Sequence, residues 1–167
     1  MSDKKYRLAI VPGSFDPITN GHADIIRRAA EQSEEVFVAV MINEQKKYLF
    51  SLDERREIAR AACDGLDGVK VISSSGMLFE LARELSADAI IKGVRNDVDR
   101  EYELVMAKYN AERYPAAETV LLEAAEGLED ISSTAVRGAI ERGEYEKLGI
   151  YMPAASADLA IKILKSK

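Results

Sequence analysis

Cysteine is nearly absent from this chain: Cys63 is the only one in 167 residues. No internal disulfide can form, and no cysteine-based metal cluster can be assembled within one chain. Cys63 falls in the apolar-periodic segment Ile58-Ala59-Arg60-Ala61-Ala62-Cys63, where a free thiol acts as a small packing group. Histidine is as scarce, and the single one, His22, lies far upstream, so the sequence offers Cys63 no neighbouring base. Long apolar runs are missing too. No stretch approaches the ~20 residues that a membrane span requires. The start of the chain, Met1 to Tyr6, lacks the apolar run of a signal peptide, which makes the cytoplasm the expected location. Positive charge is in deficit, with 23 Lys and Arg against 29 Asp and Glu and a net charge of −6. That balance argues against a duplex nucleic-acid partner, because phosphates must be matched by cations. It leaves room for a small anionic ligand, since a local cluster of Lys and Arg can hold one inside an acidic protein.

What is present is ordinary for a soluble globular domain, with hydrophobic residues at 47% and charged residues at 31%. The periodicity alternates between strand and helix. Tyr6 to Pro12, Val36 to Ile42, Val69 to Ile72, Asp88 to Lys92 and Glu118 to Leu122 read as short buried strands. Between them lie helical stripes at Gly21–Gln32, from the capping box of Ser51 and Glu54 to about Cys63, at Met77–Leu85 and at Val98–Tyr114. Ser132 or Ser133 caps a further helix running to about Arg142 and ended by Gly143. A last amphipathic helix covers Ala154 to Leu164. Strands alternating with helices predict a doubly wound α/β domain with a five-stranded parallel sheet. No linker, repeat or low-complexity stretch divides the chain. We read one domain, with a core over 1–143 and a helical C-terminal extension over 144–167.

In such sheets ligands bind beyond the carboxyl ends of the strands, where the chain order reverses. The loops at those ends hold the unusual chemistry: Gly13-Ser14-Phe15-Asp16, then Asn43 to Lys47, Ser73 to Leu78, Gly93-Val94-Arg95, and Glu123 to Thr134. In the first, Pro12-Gly13-Ser14-Phe15-Asp16-Pro17-Ile18-Thr19-Asn20-Gly21-His22 joins a strand to a helix. Glycines at both ends allow close approach to a phosphate, and free N–H groups at the helix start favour anions. Ser14 adds a hydroxyl, and His22 falls in the first helical turn.

This string, with Thr19-Asn20-Gly21-His22 at its end, resembles the signature of the nucleotidyltransferase superfamily, whose members carry T-x-G-H or H-x-G-H there. A second stretch, Ile131-Ser132-Ser133-Thr134, is similar to the superfamily's I-S-S-[ST]. The resemblance runs from about Leu8 to Arg137, and it is closest to the branch that transfers an adenylyl group from ATP to 4′-phosphopantetheine. It implies that His22, Lys46 and Arg95 are catalytic. It implies ATP binding by Ser14, Phe15, His22, Gly93, Val94, Arg95, Glu103, Leu128, Glu129, Asp130, Ile131, Ser132, Ser133 and Thr134. The acceptor would be bound by Ser14, Lys46, Leu78 and Lys92.

The chain departs from that branch at three places. Lys92 opens Lys92-Gly93-Val94-Arg95 where the branch has Arg, so a bidentate contact becomes a point charge. Arg100 replaces a Phe ahead of Glu103, and Leu128-Glu129-Asp130 replaces an aromatic-rich lead-in. By the same resemblance Mg²⁺ rides mainly on the triphosphate with no protein metal cage, coenzyme A is a feedback inhibitor, and the assembly is a homo-hexamer. Exposed apolar positions near Tyr48 to Phe50 or on the long helix are the candidate interface. The rival readings are a sister transferase acting on nicotinate mononucleotide or a cytidylyltransferase substrate, a nucleotide-binding module without turnover, and a flavodoxin-like carrier. Thr19, where those sisters usually have His, favours phosphopantetheine together with Lys46-Lys47 and Lys92-Gly93-Val94-Arg95.

Overall fold

The computed structural model describes residues 3–167; Met1 and Ser2, part of the N-terminal stretch read above, lie outside the described residues. Five parallel strands form one sheet: β1 (Tyr6–Gly13), β2 (Ser33–Met41), β3 (Val69–Ser74), β4 (Ala89–Val94) and β5 (Glu118–Glu123), in the order β3-β2-β1-β4-β5. The connections are helical: α1 (Asn20–Gln32), α2 (Leu52–Cys63), α3 (Leu78–Leu85) and α4 (Asp97–Arg113). After β5 come α5 (Ser133–Glu141), a 3₁₀ turn at Tyr145–Lys147, α6 (Leu148–Tyr151) and α7 (Ala154–Lys165). The doubly wound five-stranded sheet expected from the sequence is therefore what forms.

Alternation along each strand divides the apolar residues between the sheet's two faces. Ala9, Val11, Val36, Val38, Val40 and Ile91 face one core with Ile25, Ile26 and Ala29 of α1, Ile58 of α2 and Val136 of α5. Leu8, Ile10, Ala39 and Ile90 face a second, smaller core with Leu81 and Ala82 of α3. Leu148, Met152, Ala157 and Ala160 of the C-terminal segment join the larger core, and α7 packs on α2. The short 3₁₀ turn and α6 have no periodic signal long enough to read from sequence. Cys63 is buried, and burial pushes its thiol up to about 11, as befits a packing group.

Strand boundaries differ from the hydrophobic pattern by one to three residues, at β2 and β4 among others. β2 begins at Ser33 rather than Val36, because its ladder with β1 starts at Tyr6↔Ser33. β4 runs through Gly93 to Val94, because its pairing with β5 continues to Val94↔Glu123. Lys92, Gly93 and Val94 are therefore strand residues and not loop residues, and only Arg95 lies beyond the strand. The apolar triplet Tyr48 to Phe50 also differs from expectation: Phe50 is buried and its two neighbours are half-buried. Exposed apolar surface collects instead on α4, at Val98, Tyr102, Leu104 and Val105.

Ile26 is fully buried between α1 and the sheet. Replacing it with Ala leaves a cavity that this close-packed layer cannot fill, and costs about 2–5 kcal/mol. Urea unfolding checks this; a loss under about 1 kcal/mol would show a layer loose enough to collapse.

Candidate active site

β1 pairs with β2 on one side and with β4 on the other, so the chain leaves it in opposite directions. At that switch point opens a cleft of about 620 Å³, lined by the β1–α1 loop, Lys46, the end of β4, the first turns of α4 and the start of α5. It is where a doubly wound sheet places its ligand.

The first loop is built from local constraints. Phe15 adopts a left-handed backbone at φ 48, with its side chain buried. Its ring lies over Gly13, where an added Cβ would come within 3.1 Å of it. Of Phe15, only the backbone can then offer the cleft a polar group. Thr19 caps α1 by a reciprocal pair of bonds: its hydroxyl accepts from the His22 N–H at 3.3 Å, while His22 Nδ1 accepts from the Thr19 N–H at 3.0 Å. A capping box usually returns through Glu or Gln; here an imidazole does so. With Nδ1 taken as acceptor, the network assigns the ring proton to Nε2.

His22 is half-buried, edge-on to Phe15 with ring centroids 5.0 Å apart. Burial first, and the charge of Arg95 second, lower its pKa to about 4. At neutral pH it is therefore an uncharged hydrogen-bond donor and not a cation.

The second loop is tied to the first by Asp16. Its buried carboxylate accepts from the Leu49 N–H at 2.8 Å and the Phe50 N–H at 3.0 Å. Lys46 closes a turn by donating its N–H to the Asn43 carbonyl, and its exposed side chain lines the cleft. Strand alternation splits the Lys92-Gly93-Val94-Arg95 motif across the sheet. Lys92 faces α4 and pairs with Glu103 at 2.6 Å. Gly93 faces α1, where a Cβ would meet Ile25 Cγ1 at 2.9 Å, so glycine is required here by packing. Arg95 pairs with Asp99 at 3.0 Å. Asp99 and Glu103 stand one turn apart on α4, and between them they hold both cations of the motif.

At α5, Ser132 is the N-cap and accepts from the Ala135 N–H at 3.1 Å. Ser133 donates its hydroxyl to the Pro17 carbonyl at 2.8 Å, so that proton is committed to the first loop. Thr134 accepts from Arg137 at 3.1 Å, and Arg137 also donates to the Asp16 carbonyl at 2.9 Å. The hydroxyl protons of Ser132 and Thr134 are left for a ligand at the positive helix end.

The structure brings together Ser14, Phe15, His22, Lys46, Lys92, Gly93, Val94, Arg95, Glu103, Leu128, Ile131, Ser132, Ser133 and Thr134 around one cleft. It does not bring in Leu78, Glu129 or Asp130. Leu78 packs against the smaller core under α3. The exposed Glu129 turns back to accept from the Gly127 N–H at 2.9 Å, and Asp130 is exposed outside the lining. Sequence reasoning did not single out Arg137, Asp99 or Tyr102, all of which line the cleft. Arg137 ends the run that begins Ile131-Ser132-Ser133-Thr134, one helical turn beyond Thr134, which was a usable signal. Nothing in the sequence pattern pairs Asp99 with Arg95.

Fold, cleft and loop chemistry together define a class. The chain belongs to the cytidylyltransferase-like family of nucleotidyltransferases, which matches it over residues 10–139. Solved structures share the fold at low identity. An NMN adenylyltransferase/ADP ribose pyrophosphatase from Francisella tularensis has a TM-score of 0.65 at 18% identity, over 88% of this chain and 45% of its own. Thermotoga maritima TmcAL, bound with alpha-thio ATP, has a TM-score of 0.68 at 14% identity, over 96% of this chain and 56% of its own. Each of these two proteins is thus matched over about half its length.

Within that class the chain is a member of the phosphopantetheine adenylyltransferase family. Curated relatives of that name are 45% identical in Heliobacterium modesticaldum, over 78% of this chain and 77% of the relative, and 41% identical in Flavobacterium psychrophilum, over 82% and 90%.

The lowered pKa of His22 has a measurable sign. Between the ordinary value of 6.5 and about 4, the unfolded chain binds a proton that the folded chain refuses. The neutral ring's contribution to stability is complete above about pH 6.5 and is lost as the pH falls through about 4. Because His22 is the only histidine, its imidazole resonance can be followed without ambiguity. The expected NMR titration midpoint is about 4; a midpoint near 6.5 would mean a solvated ring.

Proposed function

We propose that this protein transfers the adenylyl group of ATP to 4′-phosphopantetheine, forming dephospho-coenzyme A and pyrophosphate. The observation that carries the reading is the single cleft in which an uncharged imidazole, Lys46, the end of β4 and the start of α5 converge. An oxygen of the acceptor phosphate attacks the α-phosphorus as the bond to the β-phosphate oxygen breaks, and pyrophosphate leaves with the electron pair. That nucleophile is already anionic at neutral pH, so no strong base is needed; positioning and charge neutralisation are the tasks.

Residue roles follow from chemistry and place. His22 Nε2–H, the Phe15 N–H and Ser14 stabilise charge growing on the α-phosphate oxygens. Lys46 and Lys92 hold the acceptor phosphate. Arg95, Ser132 and Thr134, with the N-terminal N–H groups of α5, hold the departing pyrophosphate. Arg137 braces this helix start against the first loop through the Asp16 carbonyl. For Lys92 and Arg95 to engage phosphates, each must exchange its carboxylate partner on α4 for the ligand. Glu103 is thereby released toward the nucleotide.

By the family resemblance Mg²⁺ is proposed to arrive on the triphosphate, where it would neutralise phosphate charge. Among the described residues no helix is long and apolar enough to cross a membrane, and we place the enzyme in the cytoplasm. Sharing of the larger core by residues 148–160 supports one domain. Exposed Tyr102, Leu104 and Val105 on α4 support a homo-oligomer, a hexamer by family, and coenzyme A is the proposed feedback inhibitor.

Mixing the protein with ATP, Mg²⁺ and 4′-phosphopantetheine should release pyrophosphate, whereas nicotinate mononucleotide should not support turnover. Removing one preorganised donor typically costs about 10²–10³ in rate. His22→Ala is expected to lower kcat by about that factor in a protein that stays folded by circular dichroism; full activity would remove His22 from the mechanism.

A further inference from the structure

α2 presents Arg55, Ile58, Ala59 and Cys63 to the interior, an apolar stripe with one guanidinium at a core position. Arg55 is 2% exposed, the largest fully buried side chain among the described residues. Burying a charge is costly unless hydrogen bonds compensate it. Nη1 donates to the Ser14 carbonyl at 2.8 Å and to the Met41 carbonyl at 3.1 Å. The guanidinium carbon lies 3.8 Å from the centre of the Tyr48 ring, and Nε has no partner. An aliphatic side chain would fill the same space without the orphaned Nε, but it would leave the Ser14 and Met41 carbonyls without this donor. The departure from an apolar core position therefore calls for a reason beyond packing.

That reason lies in the peptide unit that Arg55 grips. The carbonyl of Ser14 and the N–H of Phe15 belong to one trans peptide plane and point in opposite directions. Holding the carbonyl inward on Arg55 turns the Phe15 N–H outward. Ser14 and Phe15 line the cleft, while Arg55 does not. No acceptor for the Phe15 N–H is found among the described residues. The same guanidinium holds the end of β2 at Met41 and stacks on Tyr48, whose hydroxyl accepts from the Asn43 N–H at 2.7 Å. Asn43 opens the turn that Lys46 closes.

We infer that Arg55 is a positioning residue: it aims the Phe15 N–H into the cleft as an anion donor and sets the Lys46 turn at a fixed distance from it. The inference rests on the adenylyl-transfer reading for its kinetic consequence, because the two loops it joins would hold the α-phosphate and the acceptor phosphate. Loss of one preorganised donor, with the second loop loosened, is a rate effect of about 10².

The test compares Arg55→Met, which fills the core without donating, and Arg55→Lys, whose ammonium can still reach carbonyls but cannot stack as a plane. Urea unfolding, kcat and KM for pyrophosphate release, and calorimetric ATP binding are measured on each full-length protein. Arg55→Met is expected to lose about 100-fold in kcat and about fivefold in ATP affinity with a near-normal unfolding midpoint. Arg55→Lys should retain about tenfold more kcat than Met and still fall about fivefold or more below the parent. A folded Met variant within twofold of the parent in both kcat and ATP affinity overturns the inference, as does a folded Lys variant no better than Met. If Met does not fold, Lys decides: a kcat within twofold of the parent overturns the inference, and a fivefold loss at normal stability supports it. If the parent itself releases no pyrophosphate, the adenylyl-transfer reading fails. ATP binding then decides for Arg55: weakening in the Met variant, or in Lys if Met does not fold, supports it, and unchanged affinity overturns it.

Discussion

The pairing of β1 with β2 on one edge and β4 on the other is the constraint from which the rest follows. It forces the chain to leave the central strand in opposite directions, so no helix can cover the carboxyl ends of β1 and β4. The gap is what the β1–α1 loop, the end of β4 and the start of α5 surround. Most groups in the cleft are there because one of these segments ends at that gap, and Lys46 and the first turns of α4 complete the lining. The two cores on either face of the sheet hold the strands rigid enough for the gap to keep its shape.

Around the gap the loops are tied by buried and part-buried hydrogen bonds as well as by the apolar packing of Phe15, Ile18 and Phe50. Asp16 accepts two N–H groups from the Lys46-bearing segment, while its own carbonyl accepts from Arg137. Ser133 donates to Pro17, and Arg55 reaches Ser14 and Met41. Backbone carbonyls and amides near a ligand site cannot be buried unsatisfied. Each of these side chains answers one or two, and in doing so joins segments that are distant in sequence.

The electrostatics are more balanced than the cationic motifs alone suggest. His22 is neutral, and Lys92 and Arg95 are already paired to carboxylates one turn apart on α4. An acidic protein can thus keep an anion cleft without a standing excess of positive charge. The pairs also bind the N-terminal half of α4 to the end of β4, so under the proposed function a phosphate would compete directly with the contacts that seat this helix.

Much of this architecture was legible in the residues themselves. Apolar runs bounded by turn residues marked all five strands, and the Gly13 to His22 string marked the loop at the sheet's switch point. Local signals suffice there because strand burial, helix caps and tight turns depend on neighbours a few positions away. Leu78 could not be placed that way: a Leu at a helix start looks the same whether it faces a cleft or, as here, a core. Nor could the reach of β4 past Lys92, which depends on a ladder with β5, or the pairing of Arg95 with Asp99. A single sequence determines which elements form and which chemical groups it can offer. Only the packed structure decides which of those groups meet, which protons they keep and which charges they neutralise, because each answer depends on a partner from another element.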